Sequence, residues 1–200
     1  MFVLFQIWHG AIASSLTEEE IERLATRYLE IHPDEDEIGL RRFLEEDDGN
    51  PVVMVNAIQL RDRPVAVNGR DFGDSSAASL NEYSRFVFGY LLRRGSYPLW
   101  TGNAVFDSLE RWGIEDADEW SSAGLVRYRS RRVMLEMATD PEFVRFRDAK
   151  VAAIQKTFSY PTSTALATSS LTLTVSLMLL VLALLAQLLI VRHSAAQRSA

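Results

Sequence analysis

Asn50-Pro51-Val52-Val53-Met54-Val55-Asn56-Ala57-Ile58-Gln59-Leu60 is a β-branched, almost continuously apolar run. Such a run marks a strand buried on both faces. Alternation places Val52, Met54, Asn56, Ile58 and Leu60 on one face and Val53, Val55, Ala57 and Gln59 on the other. Asn56 therefore points into an apolar layer. An unpaired amide there costs about 1–3 kcal/mol, so it needs a partner, either a ligand carbonyl or hydroxyl in a cavity or a neighbouring loop.

A long polar loop follows from Arg61 to Ala78, with Asn68-Gly69 as a turn signal. Ser79-Leu80-Asn81-Glu82 has the form of a capping box, and Leu80, Tyr83, Val87, Tyr90 and Leu91 make a helical stripe that Gly95 stops. Tyr97 to Phe106 and Ala123 to Arg129 read as strands. In the latter, Arg127 and Arg129 alternate with Val126 and Tyr128, which predicts that the arginines face solvent or a partner subunit. A helix opens at Arg131, breaks at Asp140-Pro141 and resumes through Phe143 to Ile154, before a short strand around Thr157 to Tyr160. The order strand, helix, strand, strand, helix, strand over residues 50–160 predicts an α+β domain of the ferredoxin-like, split βαβ kind.

Upstream, residues 17–50 hold thirteen acids against four arginines. Thr17-Glu18-Glu19-Glu20 is a capping box, with Ile21, Leu24, Ala25, Tyr28 and Leu29 at helical spacing behind it. A second helix is expected to begin near Pro33, with Asp34 to Glu37 in its first turn, where anions favour the positive end of the helix dipole. Asp34, Asp36, Gly39 and Glu45 also fit positions of a calcium loop, but Ile38 and Arg41 stand where that loop needs an oxygen and an apolar side chain. The capped helix is the better reading. Residues 1–49 are thus an apolar amino terminus and an acidic helical extension, which could dock a basic protein partner. Phe2 to Trp8 followed by Ala11-Ile12-Ala13 raises a secretory signal, yet it has no Lys or Arg before its short apolar run. An ordered strand or helix packed on the domain is expected instead.

Downstream, a polar spacer (161–170) leads to Leu171–Val191, whose only strongly polar residue is Gln187. At 1.5 Å rise this covers roughly 32 Å, against a hydrocarbon core of about 30 Å. One transmembrane helix is expected, with a short basic tail over 192–200. Arg192 and Arg198 against Lys156 mildly favour a cytoplasmic tail, but so small a count does not decide the orientation. If the amino terminus is retained, the chain is a single-pass, carboxyl-terminally anchored membrane protein with its main domain in the cytoplasm. The net charge of -6 and a pI near 5.2 argue against nucleic acid as partner, because phosphate contacts need a basic face.

Asn50-Pro51 to Asn56, Arg61-Asp62, Gly95, Leu99-Trp100-Thr101-Gly102, Leu125 to Ser130 and Asp140-Pro141-Glu142-Phe143 resemble, in order and spacing, uncharacterised members of the dimeric α/β-barrel superfamily. The resemblance covers about residues 50–160. It implies a ferredoxin-like monomer whose sheet pairs with that of a second copy, a homodimer with a cavity between sheet and helices. The superfamily includes monooxygenases, dismutase-like haem proteins and small isomerases. Similar proteins often carry a His-Arg pair where this chain has Ala149-Lys150.

No cysteine is present, and no histidine lies between His32 and His193. The domain therefore offers no axial His or Cys for haem and no His-based triad or metal cluster, and no metal or cofactor is called for. Candidate ligand-binding residues are Asn56, Arg61, Tyr83, Trp100, Asn103 and Trp120; no catalytic residue is assigned. Two functions fit: a membrane-anchored module binding a small ligand or a protein, or a metal-independent monooxygenase- or isomerase-like enzyme. An enzyme is expected to show a closed cavity where Asn56, Arg61 and Tyr83 or Trp100 converge; a binding module is expected to show that space filled by side chains.

Overall fold

Strand β1 (Val52–Leu60) is central to a four-stranded antiparallel sheet. It pairs on one side with β3 (Ser122–Tyr128) and on the other with β4 (Ile154–Thr162), while β2 (Tyr97–Asn103) extends the sheet beyond β3. The order is β2-β3-β1-β4. These coordinates are a computed structural model describing residues 2–10, 14–165 and 170–198. Ala11-Ile12-Ala13, which bear on the signal reading, and residues 166–169 of the spacer lie outside the described residues.

The helices follow their local chemistry. α1 (Phe2–His9) is the apolar amino-terminal run in helical form. α2 (Glu18–Ile31) starts on the expected capping box: the Glu20 amide donates to Thr17 Oγ1 at 3.3 Å, and the Thr17 amide donates to the Glu20 carboxylate at 2.9 Å. α3 (Glu37–Glu45) begins later than Pro33, because the Asp36 carboxylate, not the proline, caps it by accepting from the Ile38 amide at 3.1 Å. α4 (Ser76–Arg93) likewise begins before the box at Ser79: Ser75 is its cap, and the buried Ser79 hydroxyl instead donates across to the Ala149 carbonyl at 2.8 Å. α5 (Arg131–Ala138) and α6 (Pro141–Ala153) are separate helices, broken where Asp140 caps α6 ahead of Pro141. β4 begins directly where α6 ends, earlier than Thr157. β2 stops at Asn103, short of Phe106.

The helices α4, α5 and α6 cover the sheet face that carries Val52, Met54 and Asn56. Val52, Val87, Tyr90, Leu91, Tyr128, Met137 and Phe143 form the main core there. A second cluster, Leu24, Ala25, Leu44 and Leu135, fastens the acidic extension to α5. Arg132 reaches Glu20 at 2.8 Å, Arg131 lies 3.7 Å from the buried Asp47 carboxylate, and Arg41 bridges Glu22 and Glu37. Glu20, Glu22, Glu37 and Asp47, four of the segment's thirteen acids, are thereby paired within the chain.

The opposite sheet face carries Tyr97, Trp100, Leu125, Val55, Phe158 and Tyr160. α1 lies over one corner of it. The Trp8 indole stacks on Tyr97 at 6.1 Å between ring centres and donates Nε1–H to the Leu92 carbonyl at 2.9 Å. Arg127, expected to face solvent or a partner subunit, is buried beneath this helix, where it donates to the carbonyls of His9 (2.8 Å) and Gly95 (2.9 Å). α1 supplies the acceptors that make burying a guanidinium tolerable.

α7 (Leu171–Arg198) contains Leu171–Ile190, a stretch long and apolar enough to cross a membrane, with none of that stretch buried in the protein. α1 lies against α7.

Candidate functional site

Between the inner sheet face and helices α4, α5 and α6 is a cavity of about 640 Å³. Its walls are mostly apolar: Met54 and Ile58 from β1, Leu80 and Val87 from α4, Met134, Met137 and Phe143 from α5 and α6. The size falls within the range of about 300–1,000 Å³ usual for small-molecule sites. The space is not filled by side chains, and it brings together only some of the expected residues.

Asn56 lines the cavity, as strand parity requires, but its amide is already engaged. Asn56 Oδ1 accepts from the Ser159 hydroxyl at 2.8 Å and Nδ2 donates to the Met54 carbonyl at 3.1 Å. Tyr83 also lines it, held by edge-to-face contact with Phe143 at 5.8 Å between ring centres. Burial pushes the Tyr83 phenol up to about 12, so it stays protonated at neutral pH. Asn103, opposite Ser122 at the end of β2, lines the cavity as well.

Arg61, Trp100 and Trp120 do not line it. Arg61 leaves the end of β1 with its amide donated to the Ala153 carbonyl at 2.9 Å, and its buried Nε has no hydrogen-bond partner among the described residues. Trp100 sits on the outer face, 54% exposed, because the register slips between Pro98 and Trp100 and sets Trp100 opposite Leu125. The bulge turns every later residue of β2 to the other side. Trp120 lies in the approach to β3, under the Lys156 ammonium at 5.2 Å from its ring centre.

Lys150 on α6 was not among the expected site residues. It lines the cavity with its ammonium 5.7 Å from the centre of the Tyr83 ring. Among the described residues no carboxylate pairs with it and no hydrogen bond closes it. Burial, reinforced by the positive charge of Arg147 one turn earlier, lowers its pKa from the usual lysine range. Sequence reading could have flagged it only through the departure at Ala149-Lys150. The ionisable groups lining the cavity are Tyr28, Tyr83, Tyr128 and Lys150; no Asp, Glu or His is among them.

No family model and no curated protein matches this chain. Among solved structures it resembles the RPA0582 protein of unknown function from Rhodopseudomonas palustris, at 21% identity over 67% of this chain and 97% of that one, with a TM-score of 0.55. The methylated form of the RPA0582 protein is similar at 22% identity, 68% and 96% coverage and a TM-score of 0.56. At such identity the likeness concerns the fold alone. It leaves chemistry to the cavity.

Proposed function

We propose that this chain is a membrane-anchored ligand-binding protein that holds a small, mostly apolar molecule between its sheet and helices. The observation that carries this reading is the unfilled cavity of about 640 Å³ beside Asn56 and Tyr83: it runs against the expectation that a binding module would have this space filled, but Arg61 and Trp100, which the enzyme reading needed to converge there, do not line it. The test is titration of the intact protein in detergent with a neutral apolar fluorophore, N-phenyl-1-naphthylamine. Saturable binding is expected, and Gly124→Leu is expected to abolish it, since Gly124 lines the cavity and a Cβ there meets nothing nearer than 3.5 Å. Unchanged binding by a folded Gly124→Leu protein refutes the proposal.

The finer architecture belongs to the same reading. The strand order β2-β3-β1-β4 with a helix after β1 and helices after β3 supports a ferredoxin-like domain, and the open apolar face bearing Trp100, Leu125, Phe158 and Tyr160 supports pairing with a second copy. Phe158→Glu is expected to convert a dimer to a monomer in light scattering; a protein already monomeric sinks the pairing. Leu171–Ile190 would anchor the molecule, with the domain on the cytoplasmic side. Protease digestion of the domain in sealed inside-out vesicles, and its protection in right-side-out ones, is the expected pattern.

A further inference from the structure

The chain contains nineteen arginines and only two lysines, Lys150 and Lys156. Lys156 has an ordinary role: its ammonium donates to the carboxylate of Asp116 at 3.0 Å. Among the described residues Lys150 has no such partner, and it faces a mostly apolar cavity. Apart from that of Lys156, the ion pairs among the described residues, such as those of Arg41, Arg131 and Arg132, use arginine. A carboxylate ligand would be better matched by the two-pronged guanidinium, which keeps its charge under all conditions. What lysine adds is an amine that can lose its proton and act as a nucleophile.

We infer that the cavity captures an apolar aldehyde or ketone by reversible imine formation at Lys150. The inference rests on the cavity being a ligand site and names the ligand's class. The neutral amine attacks the carbonyl carbon; the carbon–nitrogen bond forms as the carbonyl π bond opens and the oxygen takes up a proton. The carbinolamine then expels that oxygen as water, leaving the imine, so one amine and one carbonyl yield one imine and one water. No oxidant or reductant is consumed. The apolar walls would hold the carbonyl compound's hydrocarbon part, with the Tyr83 ring 5.7 Å from the amine.

The groups bearing on the amine's protonation are Arg147 on the same helix, Tyr83 on α4, Tyr128 on β3, and Tyr28 and His32 from the acidic extension. Arg147 disfavours the ammonium, and the tyrosines are held protonated by burial. The free amine is therefore available at lower pH than on an exposed lysine.

The experiment treats the intact protein in detergent with octanal and cyanoborohydride, then maps adducts by mass spectrometry; reduction fixes the imine as a gain equal to the aldehyde less one oxygen. Adduct is expected several-fold faster on Lys150 than on Lys156 or the amino terminus. Lys150→Arg, which keeps charge and approximate length, is expected to lose it, while Lys156→Arg keeps it. Arg147→Gln is expected to move the pH midpoint of labelling upward. Lys150 labelled no faster than Lys156 overturns the inference. So does displacement of N-phenyl-1-naphthylamine by octanoate in the wild type and in Lys150→Arg but not in Lys150→Met, with no adduct, which would make the site a carboxylate receptor. If the fluorophore binds normally while no Lys150 adduct forms, only this inference falls; if it does not bind at all, the cavity reading falls with it.

Discussion

Gly95→Ala tests how the amino-terminal helix is held. Gly95 has φ of +72°, and a Cβ there would lie 1.8 Å from the Trp8 carbonyl oxygen and 2.9 Å from its carbon. Two costs follow, and they are separable. Alanine in the left-handed region costs about 1–2 kcal/mol wherever α1 lies. The Trp8 carbonyl must also retreat from 1.8 Å to beyond 3.0 Å, which breaks the seating of α1. That loses the indole bond to Leu92 and the Arg127 bond to the His9 carbonyl, worth about 1 kcal/mol and about 1.5–3 kcal/mol respectively as neutral and charged hydrogen bonds. The intact protein is thus expected to lose about 4–6 kcal/mol, whereas a chain lacking residues 1–10 should lose only about 1–2 kcal/mol on the same substitution. Denaturant unfolding in detergent gives both values. Trp8 fluorescence should report its release from Tyr97 in the full-length variant alone. Equal losses in the two backgrounds would refute the placement of α1 against Gly95.

Other outcomes are equally open to measurement. Leu135, 1% exposed, joins the acidic extension to the domain; Leu135→Ala should cost about 2–5 kcal/mol in denaturant unfolding, and a loss below that range would mean that α2 and α3 are not seated on α5. Burial, with Arg127 for His9 and Arg147 for His32, lowers both histidines below 6.5 in the folded protein. The stability they allow is full above about pH 6.5 and declines as pH falls toward their folded values, because the unfolded chain takes up protons first. His9→Gln and His32→Gln should each flatten unfolding free energy between about pH 7 and about pH 5, and an unchanged slope in both would contradict the burial. A chain ending at Ser163 should stay in the aqueous phase without detergent and unfold cooperatively, while the full chain partitions into detergent; the reverse partition would deny the membrane role of α7.

Local chemistry was enough to read several elements from the sequence. The alternation in residues 52–60 set which face of β1 meets the helices, and the Thr17–Glu20 box and the Asp140-Pro141 break depend only on neighbours a few residues apart. Asn68-Gly69 turns as read, with both residues at positive φ between the bridged Val67 and Arg70. The apolar run over Leu171–Ile190 is legible for the same reason, since composition over one helix length decides whether it suits lipid.

What the sequence could not decide depended on contacts between distant residues. α4 starts at Ser76 under a cap from Ser75 rather than at the box beginning with Ser79, whose hydroxyl is instead engaged by the Ala149 carbonyl, seventy positions away. Trp100 and Asn103 lie three apart, so a regular strand would set them on opposite faces. The bulge at Pro98 determined which one entered the cavity. Arg127 looked solvent-facing by alternation until α1 brought backbone carbonyls over it from the other end of the chain. Lys150 reads as an ordinary helical lysine in sequence, and only the packing of α6 against α4 and the sheet leaves its amine in a hollow with no carboxylate beside it among the described residues. Periodicity reports which way a side chain points; what it meets there is settled by long-range packing, and the chemistry of this cavity lies in those meetings.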